Sequence, residues 1–281
     1  MTATKAYFGF PRWTDQFAFV GGAWLATFPA SNLGVLPLTR VARSIDATAG
    51  NTGFFATVDT GNAIPASGVA LIGHNAGQGA TVRLRCWSDA AGTALVFDSG
   101  TENLWPAGYT AFELASGVIW TWNRRIVAAG VPPLTVGSFQ VDITDTSNPY
   151  GYIQAGACEI YQAFDVTYNF PFGTQWGVEW RSQGTEAPGG AEYFERRNHP
   201  RLFKGNFEFT TLADAMVFYE MWQQLKYDQP VFFSPTPDDV TNFNRLQMFA
   251  RQMDPGLASY RARTSTGLIH SVPVALREIT A

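Results

Sequence analysis

The residue types that most often carry out chemistry are sparse and scattered in this sequence. The three histidines, His74, His199 and His270, lie far apart, and none forms the i, i+4 pair that holds a metal on a helix. His74 stands with Asn75 where an apolar stretch breaks into a glycine-rich turn. Its ring could contact a sugar or cap backbone groups, and turn architecture is the favoured interpretation. The histidine pattern therefore predicts no metal site.

Carboxylates are the second candidate group, because a glycosidase needs only two of them, about 5 to 9.5 Å apart. One stretch combines glutamates with aromatic residues and could form a sugar cleft: Glu179, Glu186, Glu192 and Glu195, with Trp176, Trp180 and Tyr193. Spacing alone brings no two carboxylates together, so a solvated charged loop is favoured. Asp238 and Asp239 lack the alternation of a calcium loop and predict a turn or a helix cap.

Two further catalytic signatures are missing from the sequence. No Gly-x-Ser-x-Gly elbow marks a serine hydrolase, and the glycine-rich stretch 73–79 lacks the Lys-Ser/Thr ending of a phosphate-binding loop. We therefore expect a protein that is not an enzyme, with no catalytic residue, no metal and no cofactor.

The composition limits the class of protein and its partners. Hydrophobic residues make up 46% of the 281 residues, which is enough for a large core and excludes long disorder. The net charge is -4 and no run of basic residues exceeds two, so we expect no nucleic acid partner. No apolar run is long enough for a membrane span, and the first residues lack the order of a secretory signal. These features predict a soluble protein made in the cytosol.

Aromatic residues and arginine are unusually frequent. The chain has 22 Phe, 10 Tyr and 9 Trp, and lysine supplies only a small part of its 19 basic residues. Aromatics and arginine are enriched at protein interfaces, where lysine is depleted. Large aromatics also fill the cores of β-sandwiches, so assembly and core packing both remain open.

Short segments with alternating polarity, separated by turn residues, fill the first two-thirds of the chain and predict a β-sandwich or jelly roll. The predicted strands are 54–59, 69–73, 81–87, 94–98, 139–145 and 151–156. In 81–87 we expect Val82, Leu84 and Cys86 to face inward and Arg83, Arg85 and Trp87 to face outward. Cys86 and Cys158 each lie in such a pattern and are expected to be buried free thiols.

A change in character near residue 165 predicts a domain boundary. We expect a β-sandwich domain over 1–165, an irregular aromatic-rich arm or linker over 166–200, and a small α+β domain over 201–281. The last domain contains one helix, capped by Thr211 and stopped by Asp228 and Pro230. Its predicted apolar stripe is Leu212, Ala215, Met216, Tyr219, Trp222 and Leu225. Strands are expected at 201–210, 230–234, 246–252 and 268–278.

These patterns together resemble proteins at the tail tip of long-tailed bacteriophages and prophages. The segments 32–44, 54–59, 69–75, 80–84, 139–145 and 151–156 resemble the galactose-binding-like β-sandwich of such tail proteins. The segments 201–209, 212–225, 229–231 and 276–278 are similar to the C-terminal part of distal-tail or baseplate proteins. The fold implied is mainly β, with a jelly-roll sandwich followed by a small α+β domain.

The resemblance implies a structural virion protein of the tail tip or baseplate, assembled in the cytoplasm of the host bacterium. Its partners would be copies of itself in a homo-oligomeric ring and other tail proteins, namely the tail tube, hub and receptor-binding protein. We expect the ring or adaptor contacts at the aromatic side chains of the arm and helix: Trp176, Trp180, Tyr193, Phe194, Tyr219 and Trp222.

The alternative hypothesis is a carbohydrate-binding module that contacts glycans on the host surface. Tryptophan faces can stack on sugar rings, and the candidates are Trp87, Trp105 and Trp122, with Trp120 beside them. Core packing explains these tryptophans equally well.

Overall fold

The computed structural model describes residues 5–59, 61–105, 121–170, 173–195, 197–226, 228–239, 242–254, 257–264 and 267–280. The chain is mainly β, as expected. It forms two compact units, residues 1–165 with 232–247 and residues 166–231 with 248–281. Residues 232–247, which the sequence analysis assigns to the α+β domain, thus group with the first unit, and the arm 166–200 groups with the second.

The strands of the described residues, in chain order, are β1 (Tyr7–Arg12), β2 (Phe17–Val20), β3 (Ala42–Arg43), β4 (Phe54–Val58), β5 (Ile64–Ala66), β6 (Gly68–Ile72), β7 (Thr81–Trp87), β8 (Leu95–Asp98), β9 (Glu102–Asn103), β10 (Thr121–Arg125), β11 (Leu134–Val136), β12 (Ser138–Thr144), β13 (Gln154–Ala155), β14 (Ala157–Asp165), β15 (Gln175–Val178), β16 (Gln183–Glu186), β17 (Glu192–Glu195), β18 (Arg201–Thr210), β19 (Val231–Ser234), β20 (Met248–Gln252), β21 (Ser259–Thr264) and β22 (Gly267–Glu278). The helices are α1 (Leu212–Leu225) and α2 (Phe243–Leu246), and 3₁₀ turns lie at Thr14–Gln16 and Ala30–Gly34.

The first unit is an antiparallel β-sandwich. One sheet has the strand order β10-β6-β14-β1-β19, and the other has the order β2-β4-β12-β7-β8, with β9 also paired to β7. Phe54, Leu84 and Phe139 of the second sheet belong to the same buried core as Val69 and Ile160 of the first. The two sheets therefore bury their inner faces against each other, which is how a sandwich forms its core.

Strand β7 confirms the predicted alternation over most of its length. Val82, Leu84 and Cys86 are buried, as expected. Arg83 and Arg85 face the other side, and there they form ion pairs with Asp98 and Asp142. Trp87 departs from the expectation and is buried, because the side chains of Phe55 and Arg85 cover its ring.

Strand β14 is the main element that the sequence analysis misses. The predicted closing strand 151–156 contains only the short β13, and the long β14 follows it. β14 lies between β6 and β1, and its first five residues are all buried. A strand buried on both faces has no alternation of polar and apolar residues, so the period of two is absent from its sequence.

The second unit has a sheet with the order β20-β22-β18-β15, and β21 also pairs with β22. Strand β18 has the predicted bounds, and helix α1 follows it directly. The Oγ1 atom of Thr211 accepts a hydrogen bond from the backbone N–H of Asp214 at 3.1 Å, which confirms the predicted N-cap.

The buried face of α1 differs from the predicted stripe. Phe218 and Met221 are buried together with Ala215 and Leu225, whereas Leu212, Met216 and Tyr219 are exposed. Apolar residues occupy both faces of this helix, so the hydrophobic periodicity does not select the face that packs on the sheet.

Both cysteines of the chain are free and buried in the first unit. Burial raises the pKa of the Cys86 thiol to about 12 and raises that of Cys158 well above its ordinary value. Their thiols are therefore inert core groups. Within the described part of the chain, no helix has the length and apolar character that a membrane crossing needs.

Candidate functional site

The arm is more regular than the sequence analysis expects. Strand β15 pairs with β18, and β16 pairs with β17 as a hairpin. Each strand of the arm has only four residues, and glycine lies within β15 and β16, which conceals the strand pattern in the sequence. All three of these short strands are exposed.

Most aromatic residues predicted as contacts lie on the surface of the arm. Trp180 is 84% exposed, Tyr193 66% and Phe194 64%. Trp176 is also exposed, and one edge of its ring packs on Phe203 with centroids 5.7 Å apart. These side chains together give the arm an exposed aromatic surface.

The two remaining candidates lie on helix α1. Tyr219 is exposed, and the half-buried Trp222 packs on Phe218 with ring centroids 5.7 Å apart. Trp222 is therefore mainly a packing residue, whereas Tyr219 belongs to the exposed apolar stripe of the helix.

An open cavity of about 760 Å³ lies beside Trp180. The other lining side chains in the described part of the chain are polar: Arg181, Ser182, Gln183, Arg197, Asn198 and Thr280. The volume falls within the range of about 300–1,000 Å³ that small-molecule sites occupy. We call this group of residues the Trp180 site.

His199 holds the two sides of the Trp180 site together. Its Nδ1 lies 3.1 Å from the backbone nitrogen of Arg181 and 3.2 Å from the carbonyl oxygen of Glu179, and its Nε2 lies 3.2 Å from Oγ of Ser182. The backbone N–H of Arg197 donates to the same Oγ at 3.3 Å. His199 and the backbone of Arg197 thus fix the position of the Ser182 hydroxyl at the cavity.

Arginines dominate the charge of the Trp180 site. Nε of Arg181 donates to Glu179 at 3.1 Å, and Arg197 makes a two-bond contact with Glu195 at 2.8 and 2.9 Å. The hydrogen bonds and charge of Arg197 lower the pKa of Glu195. Both carboxylates lie outside the lining of the cavity.

The glutamates considered for glycosidase chemistry lie in two different settings. Glu179 and Glu195 each bind an arginine. Glu186 and Glu192 face each other across the exposed hairpin β16–β17. The carboxylates of Glu179 and Glu195 are thus used to orient guanidinium groups.

The three tryptophans proposed for sugar contact are buried, which corrects that assignment. Trp87, Trp105 and Trp122 are only 8%, 6% and 5% exposed. Nε1 of Trp122 donates to Glu102 at 3.2 Å, and Trp105 and Trp122 belong to the sandwich core. None of them presents a face to a sugar. Trp120, named with them, lies outside the described residues.

His74 is buried at the end of β6, beside the ring of Trp105. Burial lowers its pKa to about 3, so the ring is neutral at physiological pH. Neighbouring turn residues make the contacts expected of turn architecture: Asn75 donates to the carbonyl oxygen of Tyr152 and accepts from the backbone N–H of Gln154.

A second cavity, of about 500 Å³, lies in the first unit beside Tyr7, Asn123 and Arg125. The amide of Asn123 bridges the hydroxyls of Tyr7 and Tyr161, and Arg125 pairs with Asp165. Burial raises the pKa of both tyrosines, so both phenols remain protonated. The polar groups at this cavity bind one another, which is typical of a structural network.

The polar residues of the Trp180 site were missed by the sequence analysis. They come from two short segments, 181–183 and 197–198, that the hairpin β16–β17 brings together, and from Thr280. Their signal in the sequence is the direct run Trp180-Arg181-Ser182-Gln183, in which an aromatic residue precedes three polar residues.

Comparisons with known proteins give only distant likenesses. No protein-family model matches the sequence, and no curated protein matches it. The structure is similar to the family 32 carbohydrate-binding module of NanJ from C. perfringens in complex with galactose, with 13% identity and a TM-score of 0.35 over 53% of this chain and 96% of the module.

Two further modules of Clostridium perfringens, CBM32-3 and CBM32-1 of a family 31 glycoside hydrolase, show the same level of similarity. CBM32-3 has 11% identity and a TM-score of 0.38, covering 53% of this chain and 92% of that chain. CBM32-1 has 10% identity and a TM-score of 0.32, covering 52% and 94%. Similarity this low assigns no function to the present chain. Nothing in the comparisons supports the resemblance to phage tail-tip proteins.

Proposed function

We propose that this protein binds carbohydrate at the Trp180 site and does not turn it over. The observation that carries the proposal is the exposed indole of Trp180 on a cavity whose other lining side chains, over the residues that the structure describes, are all polar. A binding site for an apolar ligand would have more than one apolar wall. A single aromatic face among hydrogen-bonding groups suits a ligand that has both an apolar face and polar edges.

Sugar rings have this combination, because their C–H groups form an apolar face and their hydroxyls project from the edge. The indole of Trp180 offers a flat surface for the face. Gln183 offers a donor and an acceptor to neighbouring hydroxyls, and Arg181 offers planar donors. The chemistry of the Trp180 site is therefore that of reversible recognition.

The hydrogen bonds of His199 fix the Trp180 site before any ligand arrives. They tie the backbone of Arg181 and the hydroxyl of Ser182 to one imidazole ring. A site held in this way loses less conformational entropy on binding, which favours affinity.

An array of immobilised glycans tests this proposal, with wild type and Trp180→Ala compared at equal concentration. Wild type is expected to bind a subset of the glycans, and Trp180→Ala is expected to lose at least about tenfold in affinity, because stacking on an aromatic ring contributes about 1–3 kcal/mol in comparable contacts. Trp180→Tyr is the matched control and should retain part of the affinity. Equal binding by wild type and Trp180→Ala, or no binding to any glycan, would overturn the proposal.

A second candidate function is assembly with copies of the same chain, of which the tail-tip ring of a virion is one form. The supporting observation is the exposed apolar stripe of helix α1, where Leu212, Met216 and Tyr219 follow at the i, i+4, i+7 spacing. Tyr193 and Phe194 of the arm add further exposed aromatic surface.

Mass photometry over a concentration series tests assembly. If the helix stripe joins copies, wild type forms a discrete oligomer that Met216→Lys disperses to monomers. Gln224→Lys introduces the same charge at an exposed position of the helix away from the stripe, and it is the matched control that should leave the oligomer intact. A wild-type protein that stays monomeric at the highest concentration would exclude self-assembly through this stripe.

A further inference from the structure

We infer that the carbohydrate bound at the Trp180 site carries an anionic group, a carboxylate or a phosphate. This inference rests on the proposed function and specifies its ligand class. Among the described residues, the charged side chains that line the cavity are the guanidinium groups of Arg181 and Arg197. A neutral sugar would leave both groups without a partner of opposite charge in the ligand.

The carboxylates behind the cavity do not neutralise the arginines around it. Oε2 of Glu179 is shared, because it lies 3.1 Å from Nε of Arg181 and 3.5 Å from Nη1 of Arg277. Arg251 stands opposite Arg277 in the β20–β22 pair. Among the described residues, this group has four guanidinium groups, Arg181, Arg197, Arg251 and Arg277, and the two carboxylates Glu179 and Glu195.

Burial and the neighbouring positive charges both affect the pKa of Arg277. Burial, and after it the positive charge of Arg251, lowers the pKa of Arg277 below its ordinary value, and Arg181 contributes in the same direction. Glu179 opposes this shift but does not cancel it. An incoming anion would offset this repulsion, so the local field favours an acidic ligand although the whole chain has a net charge of -4.

Donors for an anion are present at the cavity. Among the described residues, Nε of Arg181 donates to Glu179, and both of its Nη atoms remain available to donate to a ligand. In the same part of the structure, Nε and Nη2 of Arg197 donate to Glu195, and its Nη1 remains available to donate to a ligand. Planar guanidinium groups bind carboxylate and phosphate oxygens with charge-assisted hydrogen bonds. The anionic substituent of the sugar would lie against these atoms while its ring lies on Trp180.

Titration calorimetry with matched saccharides tests the inference. The first pair is an oligogalacturonate and the same oligomer after reduction of its carboxyl groups, and the second is a mannose oligosaccharide with and without a 6-phosphate. Wild type is expected to bind the acidic member of at least one pair about tenfold or more tightly than the neutral member, since a hydrogen bond to a charged group contributes about 1.5–3 kcal/mol. The pair that shows the preference identifies the anion.

Variants of the arginines distinguish the anionic ligand from carbohydrate binding as such. Arg197→Gln and Arg181→Gln should each reduce the preference for the acidic member several-fold, while Arg83→Gln, which removes an exposed ion-paired arginine of the first unit, should leave it unchanged. Equal affinity for the acidic and neutral members, with Trp180→Ala still weakening both, would overturn the anionic ligand and leave carbohydrate binding in place. If wild type binds none of the four saccharides and no glycan of the array, both the anionic ligand and carbohydrate binding are overturned.

Discussion

The indole Nε1 of Trp105 donates a 2.7 Å hydrogen bond to the backbone carbonyl oxygen of Ala76. This bond ties the segment after β9 to the turn after β6, inside the core of the sandwich. Trp105 therefore stabilises the first unit, although as an isolated tryptophan in the sequence it is equally compatible with sugar contact.

Substitution of Trp105 should change stability and not ligand binding. Trp105→Phe keeps most of the ring and leaves the carbonyl of Ala76 without its donor, so we expect the free energy of unfolding to fall by about 1–3 kcal/mol. Urea denaturation measures this loss. Trp180→Ala is the matched surface control and should change stability by less than about 0.5 kcal/mol. A Trp105→Phe protein as stable as wild type would contradict the structural role.

The buried carboxylate of Glu159 should contribute strongly to the stability of the first unit. It accepts hydrogen bonds from Nε of Arg12 at 2.6 Å and from Oγ1 of Thr14 at 2.5 Å. Glu159→Ala leaves the Arg12 guanidinium buried without this partner, so we expect a loss of about 3–5 kcal/mol in the free energy of unfolding. Asp15→Ala removes the exposed partner of the same arginine and should cost less than about 1 kcal/mol. Similar losses of unfolding free energy for Glu159→Ala and Asp15→Ala would show that burial does not decide how much each carboxylate contributes to stability.

The N-cap of helix α1 offers a test in the second unit. Thr211→Ala removes the acceptor for the backbone N–H of Asp214 and should lower the free energy of unfolding by about 1 kcal/mol. Thr211→Ser keeps the hydroxyl and should retain most of the stability. The comparison can be made from thermal or urea unfolding followed by circular dichroism. Equal stability of the alanine and serine variants would argue against the cap.

His74 should make the stability of the first unit depend on pH. The folded chain holds its pKa at about 3, whereas the unfolded chain has the ordinary value of 6.5. Below pH 6.5, His74 becomes protonated in the unfolded chain but stays neutral in the folded chain. The free energy of unfolding therefore falls as the pH falls towards 3. From pH 7.5 to pH 5 the loss from this residue is about 2 kcal/mol. His74→Gln should remove that part of the slope, and an unchanged slope would contradict a neutral buried imidazole.

The sequence predicts those parts of the fold in which one face of an element is buried and the other is solvated. Val82, Leu84 and Cys86 follow this pattern in β7, and the Thr211 cap is visible as a residue type at a fixed spacing. Strand β14 lacks a solvated face over its first half, so its period is lost. On helix α1, Phe218 and Tyr219 are adjacent aromatics, and only tertiary packing decides that Phe218 is buried.

The candidate site was predictable in its aromatic part and not in its polar part. The density of aromatic residues in the arm singles out Trp176, Trp180 and Tyr193. The polar lining depends on the closure of a hairpin between Gln183 and Glu195, and polar residues in a glycine-rich stretch carry no period that reveals such closure. For the same reason, the division of tryptophans into buried and exposed ones required the structure.

The most direct test of carbohydrate binding at the Trp180 site follows the indole N–H signals of protein labelled with ¹⁵N-tryptophan during titration with an acidic oligosaccharide. The signal of Trp180, assigned by its loss in Trp180→Phe, should shift and saturate as the ligand is added. The signals of the buried Trp87, Trp105 and Trp122 should stay in place. A Trp180 signal that does not move while the ligand binds, or shifts confined to the buried tryptophans, would contradict the account.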